Sequence, residues 1–103
     1  MMTYGSSEVS ELRFIHLQAE AELRDSQWMD VTLRFELAPG GELPEGIEEL
    51  SALIICTHSG DIVQIVPQDE DRDCEYQFTE LEKEQLRDYY TKTVRPRLSE
   101  YLI

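Results

Sequence analysis

Between Met29 and Leu37 every second residue is apolar: Met29, Val31, Leu33, Phe35 and Leu37 alternate with Asp30, Thr32, Arg34 and Glu36. A period of two marks a strand with one face buried. Trp28 falls with the polar set. An upstream stretch repeats the pattern, with Ile15, Leu17, Ala19, Ala21 and Leu23 set against His16, Gln18, Glu20 and Glu22. Helix competes there, because Ala, Glu, Leu and Gln favour it. On a helical wheel, however, Phe14, Leu17 and Ala21 lie opposite Leu12, Ile15 and Ala19, so no apolar face forms. A strand is expected, joined through Arg24-Asp25-Ser26-Gln27 to the next in an antiparallel hairpin.

Pro39-Gly40-Gly41 ends that hairpin. Residues 42–50 carry Pro44 and four glutamates, which fits an acidic loop or one to two helical turns. Two β-branched runs follow, Ala52 to Thr57 and Ile62 to Val66, flanking His58-Ser59-Gly60-Asp61. A tight Ser59-Gly60 loop would pair His58 with Asp61, Cys56 with Val63 and Ile54 with Ile65. Leu53, Ile55, Ile62 and Val66 then share the other face, so both faces of this second hairpin are apolar.

Pro67 closes the fourth run, and an acidic loop spans Gln68 to Glu75. Thr79-Glu80-Leu81-Glu82 is a capping-box signature, with Thr79 as N-cap and Glu82 reaching back. Leu86, Tyr89/Tyr90, Val94, Leu98 and Tyr101/Leu102 recur at helical spacing, and Pro96 should kink or split the helix. The expected fold is α+β: a four-stranded antiparallel sheet of two hairpins, β-β-(short helix or loop)-β-β-α, with one long C-terminal helix on one face. At 103 residues it is read as a single domain, with residues 1–8 a loose terminus. One helix covers one face. The two-sided hairpin therefore leaves the opposite face to a second copy or another partner, or to residues 42–50 or the N-terminal residues of the chain itself.

Charge narrows the partners. Twenty-two acidic residues against nine basic ones give a formal net charge of −13. A polyanion repels nucleic acid and anionic membrane, so neither is expected as a direct partner, and basic or apolar protein surfaces are favoured. The first residues lack the basic flank and apolar run of a signal peptide, and no apolar run reaches bilayer length, which reads as cytoplasmic. Cys56 and Cys74 are too few for a disulfide framework and fit the same reading.

Asp69-x-Asp71-x-Asp73 with Glu80 at the twelfth position resembles the calcium loop of an EF-hand. It departs where Cys74 replaces the turn glycine, and a strand ending at Pro67 precedes it where a helix belongs. The reading kept is a solvated acidic loop, with no metal and no cofactor. Cys56 and His58 share a strand face but lack a third group for metal binding or nucleophilic catalysis. No phosphate-binding or nucleophile-elbow motif occurs.

The expected function is therefore a non-catalytic acidic protein-binding module: an adaptor, small chaperone, assembly factor or inhibitor, open to homodimer formation. Trp28, Tyr89, Tyr90 and Tyr101 are its candidate contacts. The alternative is a nucleic-acid mimic in which Glu42, Glu45, Glu48, Glu49, Asp69, Asp71 and Asp73, with Glu80, Glu82 and Glu84, imitate phosphates. A small enzyme using Cys56 and His58 is the third reading.

Overall fold

The computed structural model describes residues 11–102. The expected loose terminus, residues 1–8, lies outside them. The elements are β1 (Phe14–Leu23), β2 (Trp28–Leu37), β3 (Leu50–Thr57), β4 (Ile62–Asp69), β5 (Arg72–Asp73) and α1 (Glu80–Tyr89). A π-helical turn, Tyr90–Val94, and a 3₁₀ segment, Arg95–Tyr101, complete the C-terminal arm. The strands form an antiparallel meander in the order β1-β2-β3-β4-β5. The α+β class and the helical layer on one face agree with the expectation. The sheet has five strands rather than four.

The fifth strand arises inside the expected acidic loop. Glu70 and Asp71 both adopt positive φ, 53° and 66°, which makes the tight turn joining β4 to β5. Aspartate tolerates that conformation; glutamate rarely adopts it, so the hairpin had no usual sequence mark. Residues 42–50 form no helix. Pro39-Gly40 and Glu45-Gly46 build two turns, closed by Gly41 N–H to Ala38 O and by Ile47 N–H to Pro44 O, both 3.0 Å. Gly40 and Gly46 supply the positive φ each turn requires.

Two bulges correct the expected faces. Ile15 pairs with Glu36 but Gln18 pairs with Arg34, so His16 and Leu17 together oppose Phe35. His16 carries the bulge at φ 53°. Its effect is a change of parity: Phe14 is buried before it, and Ala21 after it. In the second hairpin Ile54 pairs with Ile65 as expected, but Cys56 pairs with Ile62 rather than Val63. The extra residue, Val63, is 54% exposed. Ile62 moves to the core side, where it packs against the buried cluster.

That core joins Val31, Leu33, Ala52, Ile54 and Cys56 of the sheet to Leu86, Tyr90 and Val94 of the helical arm. An ideal helix turns 100° per residue, so a stripe spaced by four drifts about 40° per step. The π turn is underwound and rotates Val94 back over the sheet. Arg95 N–H bonds to Tyr90 O, and Pro96, which has no N–H to offer, sits in the first turn of the 3₁₀ segment. Helical dihedrals continue through Arg95 and break at Arg97 (φ −129°, ψ 36°), one residue past Pro96, where a kink or split was expected.

Replacing His16 or Glu70 by glycine should stabilise the fold by about 1 kcal/mol each, because the left-handed conformation is costly for residues with a Cβ. Thermal unfolding measures it, and His16→Val should lower the midpoint.

Candidate binding surface

The helical arm covers one face of the sheet, and the described residues leave the other open. Cross-strand rows define that open face: Glu20–Thr32–Leu53–Val66 and Glu22–Asp30–Ile55–Gln64. Both rows run from acidic on β1, through polar on β2, to apolar on β3; β4 adds the apolar Val66 to the first and the polar Gln64 to the second. Leu53, Ile55 and Val66 are half-buried, as is Trp28 opposite Thr57. Arg34 holds the polar half together through Asp71 at 3.0 Å and, more loosely, Glu20 at 3.8 Å. Arg24 pairs with Asp30 at 2.8 Å. The apolar strip therefore lies beside a charged strip that is partly paired within itself.

The tyrosines divide. Tyr90 is 1% exposed and donates its hydroxyl to Gly60 O at 2.8 Å. Burial, with the Cys56 thiol beside it, pushes its ionisation above the ordinary tyrosine value. Such a side chain has no surface for a partner. Tyr89 and Tyr101 are half-buried against the core, and Tyr89 donates to Leu17 O at 3.1 Å. Of the four expected contacts, only Trp28 belongs to the open face.

The acidic residues are sorted too. Asp69 Oδ1 accepts from Glu48 N–H at 3.1 Å and from Glu49 N–H at 2.9 Å, while Glu70 N–H reaches Glu49 O at 3.0 Å. These bonds stitch the 42–49 loop to the β4–β5 turn and bring two acidic clusters to one end of the sheet. Glu42 and Glu45 are exposed on that loop. Asp71 turns back to Arg34, and Asp73 lies 3.4 Å from the Gln68 amide. The carboxylates of the calcium-loop resemblance therefore have separate partners, and Glu80 pairs with Lys83 on the helix. No group of three metal-ligating side chains gathers among the described residues.

Glu82 is the outlier among the acids. It is 1% exposed, on the same stripe as Leu86, Tyr90 and Val94. The capping box forms as expected: Glu82 N–H donates to Thr79 Oγ1, and Thr79 N–H donates to Glu82 Oε1, both 3.1 Å. The carboxylate does more, accepting from Tyr76 Oη at 2.6 Å and from Leu12 N–H at 2.8 Å. Burial, then this bond to a carboxylate, keeps the Tyr76 phenol protonated well above its ordinary range. The long-range half of this arrangement has no local sequence mark.

Cys56 and His58 are not directed at one another. Cys56 is fully buried, which pushes its thiol up, against a smaller opposite effect from Tyr90. His58 donates Nε2–H to Asp25 O at 2.9 Å and to Trp28 O at 3.3 Å, tying the β3–β4 loop to the β1–β2 turn. Asp25 Oδ1 accepts from Gln27 and Trp28 N–H, both 2.8 Å, and those bonds hold its carboxyl below the ordinary value.

No helix among the described residues is long and apolar enough to cross a membrane. Compared with known protein families, curated proteins and solved structures, the chain matches none.

Glu82→Ala should destabilise the protein by about 3 kcal/mol, because one buried and two part-buried donors lose their acceptor. Chemical denaturation measures it. A raised tyrosine pKa favours the protonated native state, so that stability is complete below the unfolded value of about 10 and is lost as pH rises beyond it. The fold should weaken above about pH 10, and Tyr76→Phe should flatten that slope in a pH series of unfolding midpoints.

Proposed function

We propose that the chain is a non-catalytic acidic protein-binding module of the cytoplasm, acting as an adaptor, small chaperone, assembly factor or inhibitor. The observation that carries this is the open face of the sheet, where Leu53, Ile55 and Val66 lie half-exposed beside Trp28. A central apolar strip with a charged rim is the composition that protein interfaces favour. The net charge of −13 selects a partner whose rim is basic. Tyr90 is not part of this surface; Trp28 is its anchor.

The mimic reading draws on the Glu48, Glu49, Asp69 and Glu70 end of the sheet. Two of its carboxylates already have partners within the chain, Glu82 in the interior and Asp71 at the surface with Arg34, so fewer remain for a phosphate-like track.

The test compares the protein with its Trp28→Ala and Ile55→Glu variants as immobilised baits, washed at low and at high salt. A stoichiometric partner that survives high salt on the parent and is lost at least about tenfold from both variants is expected, since interface anchors are worth 2 kcal/mol or more. Equal retention by all three would remove the sheet face from consideration. A nucleic-acid-binding partner that high salt releases from all three would transfer the reading to mimicry.

A further inference from the structure

Among the described residues, β1 is an edge of the sheet, and an edge strand exposes unpaired backbone groups to any extended chain. Here several of them are occupied. Arg13 O accepts from Ala38 N–H, so Leu12 and Phe14 direct their backbone groups away from β2. Leu12 N–H donates to Glu82 Oε2 at 2.8 Å, and Leu12 O accepts from Gln85 Nε2 at 2.7 Å. Phe14 N–H donates to Gln85 Oε1 at 2.9 Å. Beyond the bulge, Leu17 O accepts from Tyr89 Oη, and Ala21 forms a single parallel bridge with Leu102. Glu82, Gln85 and Tyr89 stand three and four residues apart on α1, so one stripe of side chains lies along the strand.

We propose that this stripe is an edge plug that keeps β1 from pairing with β1 of a second copy of this chain. The strand suits its own copy. A two-fold antiparallel pairing centred on Ala19 sets Leu17 opposite Ala21 and Gln18 opposite Glu20, so no two carboxylates face one another directly. Ala19 and Ala21 are small enough for close approach. The net charge of −13 on each copy is a second barrier, and added salt removes it. The opposite edge is blunted differently, by the Val63 bulge, by Pro67 and by the short β5. The β1 edge is separate from the apolar strip of the open face, which lies on β3 and β4.

The experiment uses Gln85→Ala/Tyr89→Phe, which retains Glu82 and its cap, and the same variant shortened to Tyr101. Hydrogen exchange at Phe14, whose N–H loses the Gln85 acceptor, should accelerate by at least about tenfold while Leu12, still held by Glu82, and the core residues Val31 and Ile54 stay protected, which certifies the fold. Light scattering on the size-exclusion column should give a monomer at low salt and a dimer near roughly 1 M salt, where the Debye length falls to about 3 Å. The parent should remain monomeric in both. A variant that stays monomeric at high salt with its Phe14 amide in fast exchange overturns the proposal. So does one whose Phe14 amide stays protected, because the stripe would then not be what holds it.

Discussion

The buried carboxylate of Glu82 is the point from which the rest of the arrangement is hung. Burying an anion with no cation beside it is expensive unless donors replace the lost water. Glu82 collects three: the Thr79 amide that begins the helix, the Leu12 amide that precedes the edge strand, and the Tyr76 phenol. The positive end of the helix dipole lies at the same place. Tyr76 in turn meets Phe78 edge-on at 5.7 Å, and Phe78 meets Phe14, which stacks on Phe35 at 4.1 Å. One side chain thus fixes the start of the helix, the first strand and the aromatic wall that closes this end of the core.

With that end fixed, the bulges decide which residues face the helix. The pleat alternates strictly, so a single inserted residue exchanges the two faces. His16 allows Phe14 to join the aromatic wall while Ala21 still faces the core further along. Val63 does the same for β4, moving Ile62 inward and leaving the apolar strip on the open face shorter than strict alternation implies. Leu53 and Val66 pair directly across β3 and β4, and Ile55 has the polar Gln64 as its neighbour. The open face is therefore apolar in its middle only.

Whatever depends on local periodicity was legible in the chain. The β1–β2 hairpin, the Ile54–Ile65 pairing, the Thr79–Glu82 cap and the helix break beside Pro96 follow from short-range rules that the residues obey. Whatever depends on an unusual backbone was hidden. His16, Glu70 and Asp71 take positive φ without being glycine, and both the first bulge and the fifth strand follow from them. Long-range polar contacts were hidden as well. Gln85 and Tyr89 look like an ordinary polar flank and an aromatic contact, and nothing near them in sequence points to Leu12, Phe14 or Leu17. Trp28 could be placed on the polar face of its strand by alternation alone. Tyr90 could not be told from Tyr89, since adjacent helical positions differ by 100° and either could have faced the sheet.

Charge and edge chemistry meet in the same physical problem. A small sheet with an apolar strip on one face and two edges has several ways to associate, and each is managed by a different group of residues. The helical stripe fills the β1 edge, the bulge and proline interrupt the β4 edge, and Arg34 with Asp71 and Glu20 keeps the neighbouring half of the open face polar. The acidic surplus adds a repulsion that acts between copies at any orientation but fades with salt. A basic partner feels it as attraction instead. The same charge that repels a second copy favours, on the proposed reading, a basic rim around the one apolar strip that no described part of the chain covers.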